Sequence, residues 1–368
     1  MQNGATIFSP VTFGKLELPN RIVMAPMTRS FSPNNIPSQE MLEYYKRRAE
    51  GGTGLIITEG TFINHPVANG YENVPAFYAD ALPMWKKIVD TVHESGAKIM
   101  PQLWHTGNMR TPGVSPNPQM LNIGPMDEFD GEKQLTRAMK QHDIDEVIKA
   151  FTQAAIDAVR MGFDGVEIHG AHGYLIDQFL WRKSNRRTDK YGGSLDNRIR
   201  LASEIVRSIR NAVPSDFTIV FRFSQWKIDD YNAKIAENPD ELESILLALS
   251  QAGVDIFHAS ERDFAAPAFE NANLSLATWT KLITEKPVIT VGGIGIDKIL
   301  DLHEAEDGDM QTKPKSLSRV EEKLKNREFD LIGVGRALLA DPNWANKMKN
   351  NQMDAIIPFS TSSLKTLS

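Results

Sequence analysis

Eight short apolar runs recur along the chain, at residues 21–28, 55–60, 98–104, 165–170, 218–224, 255–260, 287–293 and 330–336. Each is nearly continuous in apolar residues and lacks the in-out alternation of a strand with one wet face. Strands buried on both faces read this way. Helical patterns fall between them. Asp143 with Glu146 makes a capping-box-like start. Ile144, Val147, Ile148, Phe151, Ala155, Ala158 and Val159 then keep a 3.6-residue period, and Gly162 closes the helix. Asn238-Pro239 opens another, with Leu242, Ile245, Leu246 and Leu249 on its inner face and Gly253 at its end. Eight β–α units predict an α/β fold of the (β/α)8 TIM-barrel type, spanning 1–368 as one domain. A doubly wound sheet is the runner-up, but it should carry a G-x-G-x-x-G turn after an early strand, and none is present.

Composition narrows the function. The net charge is −6 with acids and bases interspersed, which argues against a nucleic-acid surface. Cysteine is absent, so disulfides, iron–sulfur clusters and thiol catalysis are excluded. No basic segment followed by an apolar run opens the chain, and no apolar stretch approaches the length of a membrane span. A soluble, cytoplasmic protein without a membrane partner is expected, and a homo-oligomer is compatible with it.

Three segments lie outside the repeating units. Residues 7–18, with a Gly14-Lys15 turn, read as a hairpin closing the barrel floor. Residues 105–142 form the longest connection, rich in Pro and Gly, and on the active-site face they would act as a lid. Residues 304–328 are dense in charge and read as a solvated insertion near the seventh helix.

Residues at the C-terminal strand ends of a barrel share one pocket. In chain order the strands deliver Pro26, Met27, Thr28 and Arg29; Glu59 and Gly60; Gln102, Trp104 and His105; His169, His172 and Tyr174; Arg222; His258 and Ser260; Gly292 and Gly293; Gly335 and Arg336. The glycine pairs on the last two strands suit a phosphate bound through backbone N–H groups, with Arg336 as a bidentate clamp. Gln102 and Thr28 suit a flat heterocycle, and Arg222 a ring that becomes anionic on reduction. A phosphate and a reducible ring together suggest flavin mononucleotide.

The chain also resembles the old yellow enzyme family of flavin-dependent ene-reductases. The resemblance rests on Asn20 through Arg29, on Gln102-Leu103-Trp104-His105-Thr106-Gly107, and above all on Gly162 through Leu175, which contains Val166-Glu167-Ile168-His169-Gly170-Ala171-His172-Gly173-Tyr174. Asn185 through Ser194 and Gly333-Val334-Gly335-Arg336 complete it. It implies a TIM barrel with non-covalent FMN and with NADH or NADPH as hydride donor. Pro26, Thr28, Gly60, Gln102 and Arg222 would line the isoalloxazine, while Gly292, Gly293, Gly335 and Arg336 would hold the phosphate. His169 and His172 would bind the carbonyl or nitro oxygen of a small-molecule enone or nitro substrate, with Trp104 beside it. Tyr174, with an ordinary phenol pKa of about 10, would protonate the α-carbon. Nicotinamide and substrate sharing one site would give ping-pong kinetics.

Other readings exist for these residues. A His-x-x-His pair can bind metal, so a metal-dependent barrel hydrolase or lyase using His169 and His172, with His105 or His258 as a further ligand, is the alternative. A flavin-binding protein without turnover is a third. The chain departs from the common family pattern at His172, where many members have Asn, and at Asn108, where Arg is common. A histidine at 172 can become cationic, so a distinct pH dependence is expected. Phe359 is the one aromatic in the C-terminal segment available as a gate.

Overall fold

The computed structural model describes residues 6–270, 272–299 and 310–368. Strands β1 (Val11–Phe13) and β2 (Leu16–Leu18) pair antiparallel around the Gly14-Lys15 turn, where Gly14 has φ +58°. Leu16 and Leu18 are buried in one cluster with Val23, Leu55, Ile57, Met100, Val220, Ile256, Ile289 and Leu331. Every barrel strand but the fourth contributes to that cluster, so the hairpin plugs the floor as its sequence suggested.

The barrel begins with β3 (Ile22–Met24), β4 (Leu55–Phe62) and β5 (Lys98–Trp104). An excursion over the top then makes β6 (Asn122–Gly124), β7 (Glu128–Asp130) and β8 (Lys133–Ala138). The wall resumes with β9 (Gly165–His169), β10 (Thr218–Ser224), β11 (Ile256–Ser260), β12 (Val288–Val291) and β13 (Leu331–Val334). The eight wall strands are parallel, each paired to the next in chain order, and β13 closes onto β3. Residues of β4, β9, β10, β11 and β13 are buried throughout, because side chains fill the interior and helices cover the outside. That explains the missing alternation.

The helices are α1 (Gln39–Glu50), α2 (Leu82–Glu94), α3 (Gln141–Met161), α4 (Leu175–Leu180), α5 (Leu195–Ala212), α6 (Pro239–Ala252), α7 (Leu276–Thr284), α8 (Ser318–Lys325), α9 (Arg336–Ala340) and α10 (Trp344–Lys349). Side-chain oxygens of Ser38, Ser194, Asn238 and Ser275 cap four of them by accepting a backbone N–H three residues on. Helix α3 starts two residues before Asp143. The Asp143 carboxylate reaches back to the Lys140 N–H at 2.7 Å, so Asp143 is the third helical residue rather than the cap. Gly162, at φ +84°, ends the helix as expected.

Two sequence readings change. The 105–142 connection is not bare loop, since β6, β8 and β7 form a small sheet of its own. The charged insertion expected at 304–328 lies outside the described residues up to 309. Within it, 318–325 is helix α8, anchored by buried Val320 and Leu324 as part of the helical ring. Charged residues there are the helix's outer face. No helix among the described residues is long and apolar enough to cross a membrane.

Candidate active site

Strand β9 ends at His169, and the chain then turns sharply. His172 takes φ +65° and Gly173 φ +89°. A left-handed histidine is uncommon and needs outside support. The His172 N–H donates to Ser224 Oγ at 3.0 Å, and its carbonyl accepts the Ile228 N–H at 3.3 Å. The Gly173 N–H donates to Asp177 Oδ2 at 2.6 Å, while Gln178 Nε2 donates to the Gly173 carbonyl at 2.7 Å. Asp177 in turn pairs with Lys227 at 3.0 Å, and both side chains are fully buried. Lys227 Nζ also donates to the Gln225 carbonyl at 2.9 Å. Burial pushes the Asp177 carboxyl up and the Lys227 ammonium down, and each group offsets the other's cost.

This turn gathers the rings. The His169 and His172 rings lie 5.2 Å apart and nearly perpendicular, and the Tyr174 ring lies 5.0 Å from His169. Trp104 meets Tyr174 edge-on at 4.8 Å and stacks on His169 at 6.0 Å. Burial, and then the positive charge of Arg222, hold both imidazoles well below their ordinary pKa. Each is therefore neutral near pH 7 and donates one N–H. His169 Nδ1 accepts the Ala171 N–H at 3.3 Å, which leaves the proton on Nε2. His172 Nε2 meets Ser260 Oγ at 2.8 Å, and that oxygen also accepts from Arg222 at 3.1 Å. The pH sensitivity expected from a cationic His172 is therefore moved far to the acid side. Tyr174 departs from expectation the other way: burial, reinforced by Tyr71, raises its phenol well above 10.

Pro26, Thr28, His172, Arg222, Gly292, Gly293, Gly335 and Arg336 line one cavity of about 440 Å3. Gly60, Gln102, Trp104, His169 and Tyr174 do not line it but pack beside it. A Cβ on Gly60 would sit 2.5 Å from the Trp104 ring, so this glycine makes room for the indole. Gln102 Nε2 donates to Glu167 at 2.8 Å, and Glu167 accepts from His258 Nδ1 at 2.6 Å, a polar chain across three strands. Strand register places His169, Arg222 and His258 side by side in one layer.

The cavity's donors fit an anion-bearing flat ring. Arg222 Nε and Arg336 Nη1 are buried with no partner among the described residues, and arginine can only donate. Burial and neighbouring Arg262 push Arg336 down to about 10, which a nearby anion would reverse. Glu261 on the same wall is pushed up to about 8 by burial, so it adds little negative charge at neutral pH. Gly292 stands at φ +146°, where a Cβ would meet the Glu261 carbonyl at 2.5 Å, so glycine is what lets this turn pack against the backbone that follows β11.

Several participants were not legible in the sequence. The Tyr71 hydroxyl lies 3.2 Å from that of Tyr174, and its ring stacks on Trp104. Trp226 stacks on His172 at 4.3 Å and donates to the Ser260 carbonyl at 3.2 Å. Leu364 lines the cavity from the C-terminal segment, beside Phe359, the aromatic that the sequence did offer there. One Arg29 nitrogen donates to the carbonyls of Ser363, Leu364 and Thr366, and Arg47 and Arg48 hold those of Leu367 and Ser368. At the departure from family pattern, Asn108 Nδ2 reaches Glu128 at 2.6 Å on the lid sheet. Among the described residues no three His, Asp or Glu side chains are placed to hold a metal ion. His105 and His258, the further ligands of the metal reading, are engaged with His65 and Glu167 instead.

Comparison with known proteins bears on the family and the fold. The sequence profile of the NADH:flavin oxidoreductase / NADH oxidase family matches residues 6–310. The chain is 34% identical over 367 residues to an NADH oxidase of Thermoanaerobacter brockii, an alignment covering 97% of this chain and 52% of that protein. It thus spans about half the length of that relative. It is 33% identical over 364 residues to the chanoclavine-I aldehyde reductase of Penicillium roqueforti (strain FM164), covering 96% and 90% of the two chains. Among solved structures, morphinone reductase in complex with tetrahydroNAD matches with a TM-score of 0.78 at 27% identity, over 94% of this chain and 91% of that one.

The buried pair beneath the turn makes a direct prediction. Lys227→Met leaves the Asp177 carboxylate without its cation and should cost about 3–5 kcal/mol in chemical denaturation. Adding Asp177→Asn should recover part of that loss; additive losses in the double variant would show that the two groups do not couple.

Proposed function

The chain belongs to the NADH:flavin oxidoreductase / NADH oxidase family, that of the old yellow enzymes, and on that footing we propose that it is an ene-reductase reducing the activated C=C bond of α,β-unsaturated carbonyl or nitro compounds. FMN is the cofactor of this family, with NADH or NADPH as hydride source. The observation that carries the proposal is the turn after β9: two neutral imidazoles and a phenol meet beside a cavity walled by Arg222 and Arg336. Residues 1–368 would act as one FMN-binding unit, in the cytoplasm where nicotinamide cofactors are kept reduced.

When bound, FMN supplies reversible two-electron hydride chemistry between nicotinamide and substrate. The chain's residues do the rest. Arg336 with the Gly292-Gly293 and Gly335 backbone is assigned to the phosphate. Pro26, Thr28, Gly60, Gln102 and Arg222 are assigned to the ring, Gly60 by admitting Trp104 and Arg222 by offering a fixed positive charge. The N–H groups of His169 and His172 would bind the substrate oxygen and stabilise the negative charge that develops on it. Neutral imidazoles suit this role, because they donate without binding an extra proton. Trp104 would wall the substrate, and Tyr174 would give its phenolic proton to the α-carbon. One cavity used in turn by nicotinamide and substrate gives ping-pong kinetics. The metal-dependent alternative has no third ligand in reach among the described residues.

Three outcomes test this reading. Tyr174→Phe should keep flavin reduction by NADH or NADPH but slow enone reduction about 10²–10⁴-fold in stopped-flow assays; an unchanged enone rate would remove Tyr174 from the role. Arg336→Ala should weaken FMN binding about 10–100-fold by fluorescence titration, the worth of a charge-assisted hydrogen bond. The pH profile follows from the shifts. The histidine pKa values are lowered, so the neutral donors persist until well below 6.5. The tyrosine pKa is raised, so its proton persists above 10. Between those limits neither the histidines nor Tyr174 should therefore give an inflection in enone reduction, and one that disappears in His172→Asn would contradict it.

A further inference from the structure

We propose that Tyr71 is the proton relay that recharges Tyr174 from solvent. Tyr174 is only 6% exposed, and its ring is enclosed by His169 and Trp104. A buried phenol that gives up its proton must regain one before the next turnover. The phenol oxygen of Tyr174 has one side-chain partner among the described residues, the Tyr71 hydroxyl at 3.2 Å. Tyr71 is half-buried, so part of the residue meets solvent. Its position is built rather than incidental. The ring stacks on Trp104 at 5.7 Å, and its N–H donates to Asn69 Oδ1 at 3.2 Å. Asn69 Nδ2 in turn donates to the Ser115 carbonyl in the lid connection at 2.9 Å. The Tyr71 ring is thus held against Trp104, and its backbone is linked through Asn69 to the lid connection.

The step balances as a proton transfer. The Tyr174 O–H breaks as the α-carbon–hydrogen bond forms, with the electron pair of the carbanion taking the proton. In the same step the Tyr71 hydroxyl proton passes to the Tyr174 oxygen, and Tyr71 then takes one proton from solvent, the proton that the net reduction consumes. The two electrons of the overall reduction come from NADH or NADPH and do not enter this step. The inference rests on the reading of Tyr174 as proton donor.

Tyr71→Phe in the FMN-loaded enzyme is the test, because it keeps the ring that stacks on Trp104 and removes only the hydroxyl. Reduction of the bound flavin by NADH or NADPH should be unchanged. Enone reduction should fall about tenfold, less than in Tyr174→Phe, where the acid itself is gone. The solvent proton inventory distinguishes relay from support. In mixtures of H2O and D2O the native enzyme should give a bowed plot, with two protons in motion, and Tyr71→Phe a straight one. A wild-type rate with an unchanged bowed plot would overturn the relay, as would an equal loss in both half-reactions. If Tyr174→Phe itself reduces enones at the native rate, the donor assignment fails and the relay falls with it, an outcome separate from failure of Tyr71 alone. Tyrosine hydroxyl NMR gives a readout independent of turnover: the Tyr174 hydroxyl proton should exchange with water more slowly in Tyr71→Phe than in the native protein, and equal exchange rates would refute the relay.

Discussion

The buried Lys227–Asp177 pair is the contact on which the rest of the site hangs. Taking two charges out of water costs several kcal/mol each, and attraction alone rarely recovers it. Here each charge has further work. The carboxylate accepts the Gly173 N–H, and the ammonium accepts no proton but donates to the Gln225 carbonyl. The pair therefore ties the extension of β10 to the turn after β9, and it fixes two consecutive residues in the left-handed region. A turn that carries His172 on one side and Tyr174 on the other can hold both rings in place only if its own backbone is pinned in this way.

Arg222 sets the electrical state of what that turn presents. It lies beside His169 and His258 in the strand register, and its charge helps keep both site histidines unprotonated. Glu167, one layer below, supplies the compensating negative charge and is itself held by Gln102 and His258. The motif Val166-Glu167-Ile168-His169 thus has two inward functions two residues apart, which the period of a strand requires. Glu167 anchors the interior, and His169 faces the chemistry.

How much of this was visible beforehand follows from the range of the interactions involved. Barrel strands announce themselves because burial on both faces leaves an uninterrupted apolar run, and Thr218–Ser224 reads that way even though it carries Arg222. His169, His172 and Tyr174 were legible because one local motif holds them. Tyr71 and Trp226 were not, since each meets its partner only after the chain has folded; Tyr71 and Tyr174 are 103 residues apart. The lid strands were hidden by their shortness and polarity, with β7 exposed at every residue. Helix α8 was masked by charge, its two buried residues being too few to stand out. Asp143 shows a subtler limit: a side chain that reaches back to cap a helix can be mistaken for the residue at the start.

The strap at the C-terminal segment has an evolutionary consequence. Arg29, Arg47 and Arg48 grip main-chain oxygens between Ser363 and Ser368, which every amino acid possesses, so the course of that stretch does not depend on its own side chains, whereas Phe359 is anchored by burial against Leu339 and Ala340. Leu364, which is exposed and also lines the cavity, is then an interchangeable fitting on a fixed rail. Descendants of this chain can reshape the roof of the pocket by single substitutions there and inherit the floor, the histidines and the tyrosine intact.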